Sequence, residues 1–541
     1  MSKVDKIIIF AAVILAFAFI AAGFVLSDIP LRDVANRYAP MVEALASGDL
    51  NFAFHPRFQP LCTISAGVVS FLSGFDGFTS LKISAAIWYF AGMFLLYHLV
   101  RLLYPQEKRI AAFSVLLYAV FPHLLHMAFA GLREPAKTFL LLLSAVSLVR
   151  IHLEPEKKLN YILLGIASGL CVIAKSDMTI TGVFILFSGV FLECRHRKTP
   201  LYSFLSYAVF WLIMFPNIYI NMRLFNVAVP EWRYAVIWNS FTGNDPGMLW
   251  FFLYSAVLFV LIYGTAPLAA LIFKKAKAKH IFFSIGVIFA VSVIYTAASS
   301  SSSGEEIRDY INSFSEGFYD FLGLFVLLYL IIRSYFKTID KSELIVLAVI
   351  CTNALCNIMP ILLFEQKLFI SSRYLHPAMP LFFGFFLCGI RDLYEIIKSY
   401  TGRKFALPLL ILCSLAIAFG MIYHAFQPTI RDYTRKRNIR QRRKVFELKQ
   451  MVVDDYRGKR FLPVDIQSNY YVSNRRPKLF FIDDNKISAA AYLTGGSVAW
   501  SAGVADYIVA PYLPEDVPSK LTLIGKVQGY RQIFKVWRVE K

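Results

Sequence analysis

Two acidic side chains, each with an arginine in its neighbourhood, are the groups best suited to chemistry in a chain that is otherwise mostly apolar. Asp33 lies in the polar stretch 31–60, LRDVANRYAPMVEALASGDLNFAFHPRFQP, which ends near Arg57; Glu134 follows Arg133 in the turn Gly131-Leu-Arg-Glu-Pro135. A carboxylate can take a proton from a hydroxyl or an amine, and a guanidinium can hold an anionic phosphate. A mixed set of this kind therefore suits a substrate that carries both groups. Each acid also has an ordinary use. Asp33 heads a helical run that continues through Tyr38 to Ala46 and would cap it, and a helix N-terminus such as that at Glu134 favours negative charge.

The elements that must position these residues are membrane helices. Of 541 residues, 57% are hydrophobic and only 17% charged, more than a soluble core of this length needs. Apolar runs long enough to span recur at 7–26, 79–103, 109–128, 134–153, 159–175, 178–193, 201–222, 250–273, 281–299, 318–336, 344–364, 375–391 and 406–425, giving about thirteen transmembrane helices at about 20 residues each. The expected fold is thus a polytopic α-helical membrane protein, with a membrane domain over 1–425 and a first outer loop at 27–78.

Short loops rich in Lys and Arg stay in the cytoplasm. With Lys3 and Lys6 inside, the alternate loops carry Arg101, Lys108 and Arg109; Arg150, Lys157 and Lys158; Arg195, Arg197 and Lys198; Lys274, Lys275, Lys277 and Lys279; Arg333, Lys337 and Lys341; and Arg391, Lys398, Arg403 and Lys404. The opposite face receives Asp33, the 131–134 turn, the turn at Lys175 and the loop 365–376. It also receives the loop 223–249, whose Trp232, Tyr234 and Trp238 can stack on sugars or anchor at the interface, and the serine-rich loop 299–317, long enough for a lid. The small residues Ala21, Ala22 and Gly23 would suit signal cleavage, yet the run from Ile7 to Leu26 is long for a secretory core, and the topology is the same either way.

After about residue 427 the chain turns polar, with strand-like runs at 460–466, 478–482, 506–510, 520–524 and 532–539. Residues 426–541 are expected to form a small mixed α/β domain on the outer face. The basic run 431–444, RDYTRKRNIRQRRK, reads either as a solvated helix face or as a site for lipid headgroups or a polyanionic acceptor. A twelve-span chain would keep that run inside; thirteen spans fit every earlier loop, and long domains translocate largely regardless of charge. The net charge of +21 is mostly accounted for by the inner loops and this run, so no nucleic-acid partner is expected. No CxxC pair, HExxH helix or glycine-rich phosphate loop is present, which offers no transition-metal or redox site and argues against a nucleotide fold.

Several phrases fall in a recognisable order: an Asp shortly after the first span, Leu45-Ala-Ser-Gly-Asp49, a Pro-led amphipathic segment over 60–74 ending in Leu-Ser-Gly-Phe75, the acidic start of the fourth span at Glu134, Ile173-Ala-Lys-Ser176, and Ser372-Arg-Tyr-Leu-His-Pro-Ala-Met-Pro380. The last is similar to an Arg-Tyr-x-x-Pro-x-x-Pro signature. Together they resemble the GT-C glycosyltransferases, more narrowly the branch of protein O-mannosyltransferases and lipid A aminoarabinose transferases, over roughly residues 7–423. Val34 stands where many relatives carry a second acid, and Arg57, Phe58 and Gln59 where they carry acid and lysine before paired prolines.

The resemblance implies transfer of a sugar from a polyprenyl-phosphate carrier to a lipid, protein or polysaccharide acceptor on the outer face. In that reading Asp33 is the base of an inverting in-line displacement, and Glu134 orients the acceptor or a metal. Arg57, Arg133, Lys175, Arg373, Tyr374 and His376 would hold the donor and its phosphate. A divalent cation, Mg or Mn, stays open. The implied setting is a bacterial inner membrane, with the N-terminus cytoplasmic and the C-terminal domain extracytoplasmic. A polysaccharide polymerase or ligase, or a lipid-linked glycan transporter, is the alternative; the transporter would favour charge at mid-span and paired broken helices.

Overall fold

The computed structural model describes residues 3–26, 34, 38–48, 50–54, 59–175, 178–196, 201–225, 340–364, 376–401 and 408, together with strands within 478–539. Its helices are α1 (Lys3–Leu26), α2 (Ala39–Ala46), α3 (Leu50–Ala53), α4 (Leu61–Ser73), α5 (Gly77–Leu103), α6 (Lys108–Val120), α7 (Pro122–Phe129), α8 (Glu134–Leu153), α9 (Lys158–Ala174), α10 (Thr179–His196), α11 (Tyr202–Phe225), α12 (Lys341–Phe364) and α13 (Pro380–Thr401). Among the described residues, α1, α5, α8 and α11 are long and apolar enough to cross a membrane, and α6 with α7 makes a fifth span if the bent pair is counted as one. The chain is an integral membrane protein built on such helices.

Helices form over nine of the expected spans, from 7–26 through 201–222 and again at 344–364 and 375–391. Two of these differ in shape. The expected span 109–128 is bent by 55° between α6 and α7, where Pro122 opens α7 and has no N–H to continue the ladder. The expected span 375–391 begins instead as a 3-10 turn, His376–Ala378, and becomes α-helical only at Pro380, then runs on to Thr401. The spans expected at 250–273, 281–299, 318–336 and 406–425, residue 408 apart, lie outside the described residues, as does the basic run 431–444.

Side chains from several of the helix connections meet at one end of the bundle. Tyr104, just past α5, donates to Glu343 Oε1 of α12 at 2.7 Å. Arg391 of α13 donates to Glu107 Oε1 at 2.7 Å, Arg150 Nη2 lies 2.6 Å from His98 Nε2, and His152 Nδ1 lies 3.2 Å from His196 Nε2. These contacts gather the ends of α5, α8 and α10 and the middle of α13 with the starts of α6 and α12, the end where the basic loops were expected. At the same end the fully buried Glu193 of α10 accepts from the backbone N–H of Tyr202 and Ser203 at 2.8 and 2.7 Å and from Ser203 Oγ at 2.6 Å. It thereby satisfies the first donors of α11, which a buried helix start would otherwise leave unpaired. Gly165 lets α9 and α11 lie close, since a Cβ there would sit 2.4 Å from the Ser206 carbonyl oxygen.

In the C-terminal region, β1 (Lys478–Leu479) pairs antiparallel with β2 (Ala491–Tyr492). β3 (Tyr507–Ala510), β4 (Leu521–Gln528) and β5 (Ile533–Val539) form an antiparallel sheet in the order β3-β5-β4, with a bulge between Leu523 and Gly525. Strands thus form within the expected runs 506–510, 520–524 and 532–539. The run 478–482 narrows to two residues, β2 was not expected, and 460–466 lies outside the described residues.

Glu193→Ala removes the acceptor for three donors and should cost about 2–3 kcal/mol. This is read as a lower thermal unfolding midpoint of the detergent-solubilised protein; an unchanged midpoint would mean that the first turn of α11 is satisfied without the carboxylate.

Candidate functional site

The opposite end of the bundle is organised by the turn between α7 and α8. Gly131 has φ +71°, and a Cβ there would come within 3.2 Å of Leu81 and 3.3 Å of the Lys82 backbone nitrogen, so the turn needs glycine for its conformation and its close approach to α5. Arg133 is the residue before α8, Glu134 its first residue, and Pro135 follows at a position where no N–H is required. Lys175 is the first residue after α9, in extended conformation. Because α8 and α9 are antiparallel neighbours, the start of one meets the end of the other.

There Lys175 Nζ donates to Glu134 Oε1 at 3.1 Å, with the two side chains 6% and 0% exposed. A carboxylate at a helix N-terminus and an ammonium at a helix C-terminus each also sit favourably in the helix dipoles. Beside the pair, buried Arg133 donates from Nη2 to the Tyr38 hydroxyl at 2.7 Å, and its guanidinium lies 4.4 Å from the centre of the Tyr38 ring. Tyr38 packs with Val34, Ala39, Val42, Ala66, Leu81, Met127, Ala130 and Leu132 in one apolar cluster. That cluster ties Val34 and Tyr38 to the turn that carries Arg133 and Glu134.

Further buried groups belong to this end. Lys137 stands one turn into α8 and is fully buried; Lys82 is buried too, donates to the Phe24 carbonyl at 3.1 Å and lies over the Phe78 ring. Cys62, in the first turn of α4, has its thiol pushed up to about 12 by burial, and it feels Arg133, Glu134 and Lys175 as neighbouring charges. His376 stacks on His123 of α7, ring centres 4.0 Å apart and planes at 22°. Burial, followed by His123, holds His376 well below the usual imidazole range; Glu134 acts in the opposite sense and His126 in the same sense.

Of the residues expected from sequence to act together, Arg133, Glu134, Lys175 and His376 converge here. Asp33, Arg57, Arg373 and Tyr374 lie outside the described residues. Glu134 and Lys175, expected in separate roles, are bonded to each other. Tyr38, Cys62, Lys82, Lys137, His123 and His126 were not anticipated. Only Lys137, a charge inside an apolar run, and the i, i+3 spacing of His123 and His126 on one helix carried a signal. Among the described residues no three His, Cys, Asp or Glu side chains gather to hold a metal ion, so no step is assigned to one.

A protein family described as dolichyl-phosphate-mannose-protein mannosyltransferase matches residues 56–220. Solved structures are similar as well. The oligosaccharyltransferase of Archaeoglobus fulgidus, in its complex with Zn and sulfate, is 12% identical with a TM-score of 0.46, covering 89% of this chain and 57% of that one. ArnT from Cupriavidus metallidurans bound to undecaprenyl phosphate is 13% identical with a TM-score of 0.36, covering 73% of this chain and 80% of that one. The chain therefore spans well under two thirds of the oligosaccharyltransferase it matches. No curated protein matches. Residues 56–220, the stretch that carries Arg57, Arg133, Glu134 and Lys175, bear out the likeness read from the motifs, that of a GT-C membrane glycosyltransferase.

Proposed function

We propose that the chain transfers a sugar from a polyprenyl-phosphate carrier to an acceptor hydroxyl or amine on the outer face of the membrane. The observation that carries this reading is the buried Lys175–Glu134 pair with Arg133 held against Tyr38. Four buried cations, Lys82, Arg133, Lys137 and Lys175, stand there against one buried carboxylate, Glu134, among the described residues. An end of a bundle with that excess favours an anionic ligand. The matched family's description names a dolichyl-phosphate sugar, which supports a polyprenyl-phosphate donor.

In the displacement, the acceptor oxygen or nitrogen attacks the anomeric carbon as the carbon–oxygen bond to the phosphate breaks, inverting the configuration. The acceptor proton passes to the Asp33 carboxylate, and the electron pair leaves with the polyprenyl phosphate. The phosphate gains a negative charge as it departs, and cations aimed at it stabilise that charge most where water is excluded. Arg133 and Lys175 fill this role, with Arg57 and Arg373, and Tyr374 contributes to donor binding. Glu134 acts as a positioning residue that fixes the Lys175 ammonium. Val34, next to Asp33 in sequence, is buried with Tyr38 and Leu132, which supports a place for the base beside Arg133. The acceptor is a lipid, a protein or a polysaccharide, and the setting is a cell-envelope membrane with the C-terminal region extracytoplasmic.

Purified protein given a panel of polyprenyl-phosphate sugars should release polyprenyl phosphate and transfer the sugar, and Asp33→Asn should lower kcat by about a hundredfold or more. Transfer that persists unchanged in Asp33→Asn would remove Asp33 as the base, and binding without release would favour a transporter. Removing one partner of a buried pair costs about 3–5 kcal/mol because a buried charge is left uncompensated. Lys175→Met and Glu134→Gln should therefore each lower the thermal unfolding midpoint in detergent, and the double change Glu134→Leu/Lys175→Leu should lower it by less than the two single changes summed.

A further inference from the structure

His376 is 4% exposed, and among the described residues neither of its ring nitrogens has a hydrogen-bond partner. Its ring is fixed by the stack on His123, and Phe121 sets that stack by meeting His123 edge-on at 5.7 Å and Phe383 at 5.5 Å. Among the described residues, the charged and titratable groups around it come from α7 and from the start of α8. α7 contributes His123 and His126, and α8 contributes Glu134, with Arg133 and Lys137 adjoining it in sequence. The first turn of α13, from Pro380 to Gly384, carries none. Two imidazoles face to face at 4.0 Å do not both hold a proton readily, because like charges in a buried site repel. A buried neutral imidazole with both nitrogens unbonded, in turn, carries an uncompensated desolvation cost.

An anionic oxygen beside His376 resolves both conditions. It accepts the ring N–H, and its charge favours protonation of the other nitrogen, so that the ring becomes a cation with two donors. We propose that the His123–His376 stack is a proton-linked subsite for the donor's phosphate, in which His376 takes up one proton from solvent as the phosphate enters. This rests on the reading of a polyprenyl-phosphate donor above and adds to it two things: the residue His123, and a proton that accompanies binding. When the carrier leaves as the more highly charged phosphate monoester, the imidazolium is already in place to balance the added charge. The sign follows from linkage. The complex binds more protons than the free protein, so affinity falls as pH rises through the range in which only the complex is protonated, by about tenfold per pH unit for one proton.

The test is calorimetric binding of a short-chain polyprenyl phosphate to the full chain in detergent, at pH 6, 7 and 8, in two buffers of different ionisation enthalpy. Wild type is expected to take up about one more proton per phosphate bound than His376→Asn. Its affinity is expected to fall across the pH range about tenfold more steeply per unit than the variant's. The phosphate's own second ionisation contributes equally to both proteins, so the difference isolates the imidazole. His376→Gln serves as the second variant should the first fail to fold, and a proton uptake and pH dependence of wild type indistinguishable from those of the folded variant would overturn the inference. Binding with equal proton uptake in wild type and variant overturns the proton-linked subsite and leaves the donor reading standing. If wild type does not bind the polyprenyl phosphate at all, both fall.

Discussion

A lysine and a glutamate that share one buried hydrogen bond set the geometry of one end of this bundle. Neither charge is tolerable alone at that depth, because removing an ion from water costs several kcal/mol that only a well-placed partner offsets. The Lys175–Glu134 pair therefore requires that the start of α8 and the end of α9 stay in register. The rest of that end follows from the requirement: the left-handed glycine that turns α7 into α8, the close approach of the turn to α5, and the arginine held against a tyrosine of the first loop. A glycosyl-transfer site of the proposed kind needs this fixity, since the cations must already be in place when charge develops on the leaving phosphate.

The two ends of the described bundle bury opposite charges. Lys82, Arg133, Lys137 and Lys175 are buried at one end, and Glu193 and Glu343 at the other. The carboxylates are occupied by structural donors: Glu193 by the first turn of α11, and Glu343 by the Tyr104 hydroxyl and the Asp340 N–H. Exposed charge follows the reverse pattern, because the basic loop residues that bias membrane orientation lie at the end with the buried carboxylates. An anionic carrier lying in the bilayer with its phosphate at the cationic end would meet protein groups that are desolvated and fixed, where an electrostatic contact is worth more than at a hydrated surface.

Long apolar runs made the helices α1, α5, α8 and α11 readable from sequence, since a window of membrane thickness contains little else. Hydropathy averages over a bend, so the break at Pro122 was hidden inside one expected span. It also misplaced α13, because Pro377 and Pro380 delay the helix while Asp392, Glu395 and Lys398 lie on a helical continuation that an apolar window excludes. Glu134 and Lys175 could be assigned to one end by counting loops. That they touch could not, because the contact depends on which helices are neighbours, and no local pattern encodes that. The histidine stack joins residues far apart in the chain and had no sequence signal beyond the spacing of His123 and His126. An apolar residue at position 34 has a physical reason here: Val34 is fully buried among apolar side chains, where an unpaired carboxylate would be costly.

The central claim, that the carrier's phosphate lies at the end of the bundle where Lys175 meets Glu134, is tested most directly by photo-crosslinking. A polyprenyl phosphate bearing a diazirine beside the phosphate would be bound to the full chain in detergent, irradiated, and the labelled peptides identified by mass spectrometry. The account predicts label on peptides containing Arg133 to Lys137, Lys175 or His376, displaced by excess unlabelled polyprenyl phosphate. Displaceable label confined to the other end, at Arg150 to His152, Arg195 to His196 or Lys341, would contradict it.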